Sequence, residues 1–331
     1  MNARGARRLT PDVLRLDPAA EVERIGAGLR RIVGLTLRRR GLIIALSGGV
    51  DSAVCAALAV RALGPAKVFG LMLPEQDSSP TSLTRGTRVA KQLGIPHAVE
   101  NIQPVLEALG CYRLRDEAMR AVFPDYGDGW KSKITIAGGA QGRFNYFKLV
   151  VQSPDGEVKE ARLPLKPYLQ IVAATNYKQR VRKAIEYFHA DRLNYAVIGT
   201  PNRLEYDQGF FVKNGDGSAD LKPIAHLYKT QVYALARFLC LPPEICSAQP
   251  TTDTYSMAQG QDEFYFALPY EKMDLALWAH DHHVPAGELA AHLAITQAQA
   301  NLVYRDIEAK RNAARYLHAE PVLLDAQPAR A

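Results

Sequence analysis

The chain has 331 residues, 47% hydrophobic and 23% charged, with a formal net charge of +7. That balance suits a globular protein that buries its core without staples, and no internal repeat or low-complexity tract contradicts it. The four cysteines form no C-x-x-C pair, no apolar run reaches the roughly 18 residues of a membrane span, and the basic surplus comes without an RNA-binding motif. A zinc knuckle, a transmembrane anchor and a nucleic-acid partner are therefore all disfavoured.

Residues 1–16 read as a loose tail, and the Arg- and Pro-bearing first 20 residues lack the apolar run of a signal peptide. With few, unpatterned cysteines, this predicts a cytoplasmic protein. Asp17-Pro18 is an N-cap followed by proline at the first helical position. Val22, Ile25, Leu29, Ile32 and Val33 then recur at helical spacing, predicting a helix to about Arg40-Gly41. Leu42–Leu46 is a short apolar run of the kind buried on both faces of a parallel sheet. After it come an S-G-G-V-D-S turn, a helix over Ala53–Leu63 and a strand over Val68–Leu73. A helix from Ser79-Pro80 to Leu93-Gly94, a strand over His97–Ile102 and a helix opening at Pro104–Leu109 complete the first series.

A second series begins near Thr175, with a basic helix over Asn176–His189, a strand over Asn194–Gly199, a Gly- and Asp-rich loop over 200–225 and a helix over Tyr228–Leu239. Alternating strands and helices predict an α/β fold with a doubly wound parallel sheet. Between the series lies an insert, about 112–167, whose Ser153-Pro154-Asp155-Gly156 turn between two strand-like runs predicts a β-hairpin. Residues 269–283 and 296–316 read as helices of a C-terminal extension over 268–318, so the whole chain, 1–331, is expected to be one domain.

The strongest local signal is Ser47-Gly48-Gly49-Val50-Asp51-Ser52, between a buried strand and a helix. Two glycines let backbone approach a phosphate, the helix N-terminus offers free N–H groups, and Ser47 and Ser52 add hydroxyl donors. Asp51 would repel phosphate unless a cation intervened, so it reads as a Mg²⁺ ligand. The turn is neither a Walker A loop nor G-x-G-x-x-G, which disfavours P-loop NTPase and Rossmann hydride chemistry. Lys229 at a helix start suits charge building on a leaving pyrophosphate. Glu205 in a strand's C-terminal loop suits a second Mg²⁺ contact.

The S-G-G-V-D-S turn resembles that of the ATP-pyrophosphatase (PP-loop) superfamily, which cleaves ATP between the α- and β-phosphates. The runs Gly199–Glu205, Gly209–Asp220 and Leu227–Val232 resemble NAD synthetases continuously. Asn176–Arg182, Pro250–Asp253, Gln261–Glu263 and Lys310-Arg311 match further segments of them, so the likeness covers roughly 20–110 and 168–312. It implies an adenine nucleotide alpha-hydrolase-like fold and ATP-dependent amidation of deamido-NAD through an adenylated carboxylate, with ammonia as donor. It assigns Ser47–Ser52, Thr200, Lys229 and Thr251 to ATP, and Asp51 and Glu205 to Mg²⁺. Asn176, Arg180, Lys213, Asp220, Ala309 and Lys310 go to deamido-NAD, whose diphosphate and carboxylate suit the basic groups among them. The likeness further implies a homodimer. The short N-terminal stretch predicts free ammonia, or a separate glutaminase subunit, as the nitrogen source. The 112–167 insert is longer than compact ammonia-dependent relatives need. The competing readings are an amidoligase for another carboxylic acid, a tRNA modifier and a non-catalytic nucleotide-binding module.

Overall fold

A computed structural model describes residues 8–10, 12–137, 146–250, 255–257, 260, 265–266 and 268–324. The helix predicted after Asp17 is α1, Pro18–Arg31, and the Asp17 carboxylate accepts from the N–H groups of Ala19 and Ala20 at 3.0 and 3.2 Å. It stops short of the predicted end, because the chain passes into a π-helical turn over Ile32–Thr36. Four of its five predicted core residues are buried, and Ile32 is only half-buried.

The main sheet is parallel. Its strands are β1 (Leu42–Ala45), β2 (Val68–Met72), β3 (His97–Val99) and β7 (Ala196–Val197), in the order β3-β2-β1-β7. Both faces are covered, and β1 shows why its sequence is apolar throughout. Leu42 and Ile44 pack with α1, with α2 (Val50–Leu63) and with α8 (Lys229–Phe238), while Ile43 packs under α4 (Gln103–Ala108), α5 (Cys111–Arg120) and α6 (Leu165–Leu193). Helix α3 (Pro80–Gln92), capped by Ser79, leads from β2 to β3. Because β2 and β3 lie on one side of β1 and β7 on the other, the strand order reverses beside β1. Open α/β sheets bind ligands at such a point, beyond the carboxyl ends of the strands.

The insert departs from its predicted form. The hairpin exists, with β5 (Tyr146–Gln152) pairing antiparallel to β6 (Val158–Arg162) around the Pro154-Asp155-Gly156 turn. A third strand, β4 (Lys131–Ala137), pairs with the far side of β5, so the insert holds a three-stranded sheet. Sequence alternation missed β4, since Lys131 and Lys133 read as surface charge. It also missed α5, and it began α6 eleven residues late, near Asn176 instead of Leu165. The strongly mixed faces of this 29-residue helix, which touches both the sheet and the insert, hide its start.

After β7 come the six-residue α7 (Arg203–Gln208), α8 and the short α9 (Pro243–Cys246). The C-terminal part then adds α10 (Tyr270–Asp281), α11 (Ala286–Leu293), which the sequence reading lacked, and α12 (Gln297–His318). These last helices share a core of their own, built on Met273, Leu277, Leu289, Val303 and Ile307 and joined by Leu9 from the N-terminal segment. No described helix is long and apolar enough to cross a membrane.

Candidate active site

The S-G-G-V-D-S turn leaves the end of β1 and becomes the first turn of α2, with Gly49 as N-cap. Gly48 has φ +81°, and a Cβ there would meet the Ser82 carbonyl oxygen at 2.5 Å, so only glycine fits. The Ser47 hydroxyl lies 3.2 Å from that of Ser52 and accepts from the Gly49 N–H at 3.3 Å. Ser52 donates to the Gly49 carbonyl at 3.0 Å. Ser47 is exposed and Ser52 buried, so the turn presents one solvent-facing hydroxyl above a buried second one.

Asp51 is the second residue of α2, and its carboxylate meets groups from β7's far side. Lys229, first residue of α8, forms an ion pair with Asp51 Oδ2 and stands 4.0 Å from Glu205 Oε1. Asn202 donates from Nδ2 to Asp51 Oδ1 at 3.2 Å. Glu205 is fixed by a reciprocal cap: its N–H donates to Asn202 Oδ1 and its Oε2 accepts from the Asn202 N–H, each at 3.2 Å. The three predicted catalytic and metal residues, Asp51, Glu205 and Lys229, thus converge at the switch point. Lys229 is buried, which disfavours its ammonium. The carboxylates of Asp51 and Glu205 outweigh that burial and hold its pKa well above the ordinary lysine value. The neighbouring Cys55 thiol is pushed up by full burial and by the same two carboxylates, so it stays protonated and unreactive.

Supporting residues lie outside the predicted set. Helix α7 is too short to hold itself, and its flanks are clamped. Arg203 pairs with Asp281 of α10 at 2.6 Å, and Arg311 of α12 pairs with Asp207 at 2.9 Å and with Asp281 at 2.5 Å. Asp274 of α10, fully buried, accepts the Thr230 N–H at 2.8 Å and so caps the first turn of α8, which carries Lys229. Asn202-x-x-Glu205 was a legible signal, since that spacing is a capping box. Asp274 gave none, because a cap supplied from another helix has no sequence spacing.

Burial pushes the Asp274 carboxyl up to about 7, although the α8 N-terminus and Lys229 pull the other way. A carboxyl raised from 3.8 binds its proton more tightly in the folded chain, so stability falls as pH rises from about 4 to 7. In thermal melts, Asp274→Asn, which keeps an acceptor but cannot ionise, should lose less stability than wild type between pH 5 and pH 8, by about 5 °C or more. Equal pH slopes for the two proteins would refute this.

The predicted acceptor residues lie on α6, in the 209–220 loop and on α12. Asn176 and Arg180 lie on α6, where Arg180 Nε donates to the Lys213 carbonyl at 3.4 Å and Gly215 packs against Gln179, so α6 and the 209–220 loop adjoin. The other side chains are engaged locally. Lys213 Nζ donates to the carbonyls of Tyr316 and Ala319, each at 2.8 Å, at the end of α12. Asp220 accepts the Val197 N–H at 2.7 Å and thereby ties the loop to β7. Lys310 is paired with Asp306 at 2.6 Å, bonds the Tyr265 carbonyl, and has its pKa lowered by burial. Ala309 is exposed and Thr200 half-buried beyond β7. Thr251 lies outside the described residues.

A second cluster was not anticipated. In the loop after β2, Asp77 accepts from Lys178 of α6 at 2.6 Å and from Arg115 of α5 at 2.5 Å, and Tyr112 donates to Glu75 at 2.8 Å. These buried charges compensate one another and lock the insert's first helix to the carboxyl end of the sheet. The helix positions 115 and 178 gave no hint of it, since each alone reads as a solvated cation.

The family model described as NAD synthase matches residues 21–122 and 148–314. A Mesorhizobium japonicum protein named NH(3)-dependent NAD(+) synthetase is 58% identical over 312 residues, covering 94% of this chain and 98% of its own. One of the same name from Thermotoga maritima is 36% identical, covering 72% of this chain and 79% of its own. Among solved structures, the NH3-dependent NAD synthetase of Campylobacter jejuni superposes with a TM-score of 0.60 at 21% identity, covering 94% of this chain and all of that one. The turn, the strand order and these matches agree: the chain belongs to the NAD synthase family.

Proposed function

We infer that the protein makes NAD by ATP-dependent amidation of nicotinic acid adenine dinucleotide (deamido-NAD), with ammonia as nitrogen donor and AMP and pyrophosphate as products. The observation that carries this reading is the convergence of Asp51, Glu205 and Lys229 beside a glycine turn at the sheet's switch point, in a chain 58% identical to a protein named for that reaction. A pair of carboxylates, with no cluster of three or more metal-ligating side chains among the described residues, suits Mg²⁺, which usually takes one or two carboxylates and completes its shell with phosphate and water. Asp51 and Glu205 would hold that ion, which when bound neutralises charge on the triphosphate.

The chain's own groups do the rest. The turn's N–H groups and Ser47 receive phosphate oxygens at the positive end of α2. The nicotinate carboxylate is already an anion and attacks the α-phosphorus without a protein base. Lys229 offsets negative charge on the departing pyrophosphate, and ammonia then displaces AMP from the acyl-adenylate. In this reading Asn176 and Arg180 on α6 receive the acceptor dinucleotide. The same helix leaves Leu165 and Leu169 exposed one turn apart, an apolar strip that suits a homodimer contact, and light scattering should return twice the chain mass. The described cysteines are all free, which fits a cytoplasmic setting. Ammonia dependence stands in the names of the close relatives, and nothing in them supports a separate glutaminase subunit.

The test is an assay of AMP, pyrophosphate and NAD with ammonium, with glutamine, and with a panel of other carboxylic acids. Stoichiometric AMP, pyrophosphate and NAD from deamido-NAD and ammonium supports the reading. Negligible NAD while another acid drives AMP release overturns the acceptor, and orthophosphate in place of pyrophosphate overturns the chemistry.

A further inference from the structure

Helix α6 carries two pairs of polar side chains on different faces. Asn176 and Arg180 stand one turn apart, and Lys178 and Arg182 form a second such pair roughly 200° further round the helix. The second pair grips the loop after β2. Lys178 Nζ lies 2.6 Å from Asp77 Oδ2 and 3.1 Å from Glu75 Oε1, and Arg182 donates to the Leu73 carbonyl at 3.2 Å and to Ser78 Oγ at 3.5 Å. The side chains of Lys178, Glu75 and Asp77 are 1%, 0% and 4% exposed, so these contacts are shielded from water. Burial pushes the Asp77 carboxyl up, but Lys178 and Arg115 outweigh it and hold its pKa below the ordinary value. The far end of the same loop rests on the phosphate turn. It passes through Ser79 into α3, where a Cβ on Gly48 would meet the Ser82 carbonyl oxygen at 2.5 Å and one on Gly86 would meet the Leu46 carbonyl oxygen at 2.8 Å. Residues 73–86 therefore touch both the helix assigned to the acceptor and the turn assigned to ATP.

We propose that Asp77 is a positioning residue for the acceptor: through Lys178 it fixes the rotation of α6 and so sets where Asn176 and Arg180 stand relative to the phosphate turn. This rests on the reading given above, in which those two residues receive deamido-NAD. Desolvation offsets much of the attraction in a buried ion pair, so such a cluster is a weak source of stability. What it supplies here is geometry, because the pair keeps its energy only in a narrow arrangement, and a small turn of a helix displaces the side chains on its other face. Asp77 touches neither substrate in this scheme and acts through α6. Loss of its charge should weaken the hold on the acceptor and leave the nucleotide, whose turn is braced by its own serines, nearly as before.

The experiment compares wild type with Asp77→Asn and Arg115→Met, by steady-state kinetics and by hydrogen exchange of the 174–183 peptide. In Asp77→Asn, Lys178 keeps Glu75 and Arg115 keeps Asp116 at 2.8 Å, so no buried cation is orphaned and the chain still folds. This variant should raise the KM for deamido-NAD about tenfold, while kcat and the KM for ATP stay within about threefold. Arg115→Met breaks the same cluster on the α5 side but leaves the Asp77–Lys178 pair, so it should lower the melting temperature and move the KM for deamido-NAD less than about twofold. Without substrate, exchange across 174–183 should quicken about tenfold in Asp77→Asn and less than about twofold in Arg115→Met. An unchanged KM for deamido-NAD in Asp77→Asn, an equal rise in its KM for ATP, or the same KM shift in Arg115→Met overturns the proposal, since the last two outcomes are those of a merely structural cluster. Exchange is read without turnover, so a wild-type protein that makes no NAD removes the acceptor reading by itself. Unchanged exchange in Asp77→Asn would then overturn the hold on α6, and quickened exchange would sustain it.

Discussion

Asp51→Asn should lower AMP formation about a thousandfold or more, with the fold retained. The substitution keeps the shape of the side chain and an acceptor for Asn202 Nδ2, but removes the charge that pairs with Lys229 and would hold Mg²⁺. Glu205, 4.0 Å from the Lys229 ammonium, remains as its counter-charge, so the buried cation is not orphaned and the chain still folds. Raising Mg²⁺ should recover only a small part of the activity. Measured by AMP release and by calorimetry of Mg²⁺–ATP binding, turnover within tenfold of wild type would remove Asp51 from the metal site.

Lys229→Ala should reduce kcat about a hundredfold to a thousandfold while the KM for ATP moves by less than about tenfold. The reason is where the charge is needed. Pyrophosphate gains negative charge as it leaves, so a fixed cation at the start of α8 stabilises the transition state more than the bound substrate. The variant also leaves the carboxylates of Asp51 and Glu205 facing each other without their shared cation, so a drop in melting temperature should accompany the kinetic loss. A variant that loses ATP affinity but keeps kcat at saturation would make Lys229 a ground-state anchor instead. Single-turnover measurements at saturating ATP separate the two outcomes.

The ammonium of Lys229 is held above its usual pKa by both carboxylates despite burial, so it stays charged throughout the working range. Loss of activity on the acid side should therefore not come from the lysine. The site needs no residue that titrates near neutrality for its first step, since the attacking acid is already ionised.

The sequence by itself determined the parallel sheet, the phosphate turn and the order of the site segments. Those features depend on local physics: an apolar run covered on both faces, a glycine where φ is positive, a cap before a helix. Gly48, Asn202-x-x-Glu205 and Lys229 at a helix start could all be read that way. Only the tertiary structure decided what depends on distant partners. Asp274 caps a helix 44 residues away, Arg311 clamps α7 from the chain's last helix, and Lys178 is buried against Asp77 although its own neighbourhood reads as a polar helix face. The engagement of Lys213 by the carbonyls of Tyr316 and Ala319 was equally invisible, because those partners lie more than a hundred residues away, whereas Asp306 and Lys310 are an i,i+4 pair on one helix. Strand β4 hid for a related reason: besides its antiparallel pairing with nearby β5, its other edge is held by Ser256 and Met257, more than a hundred residues away, which no local pattern encodes.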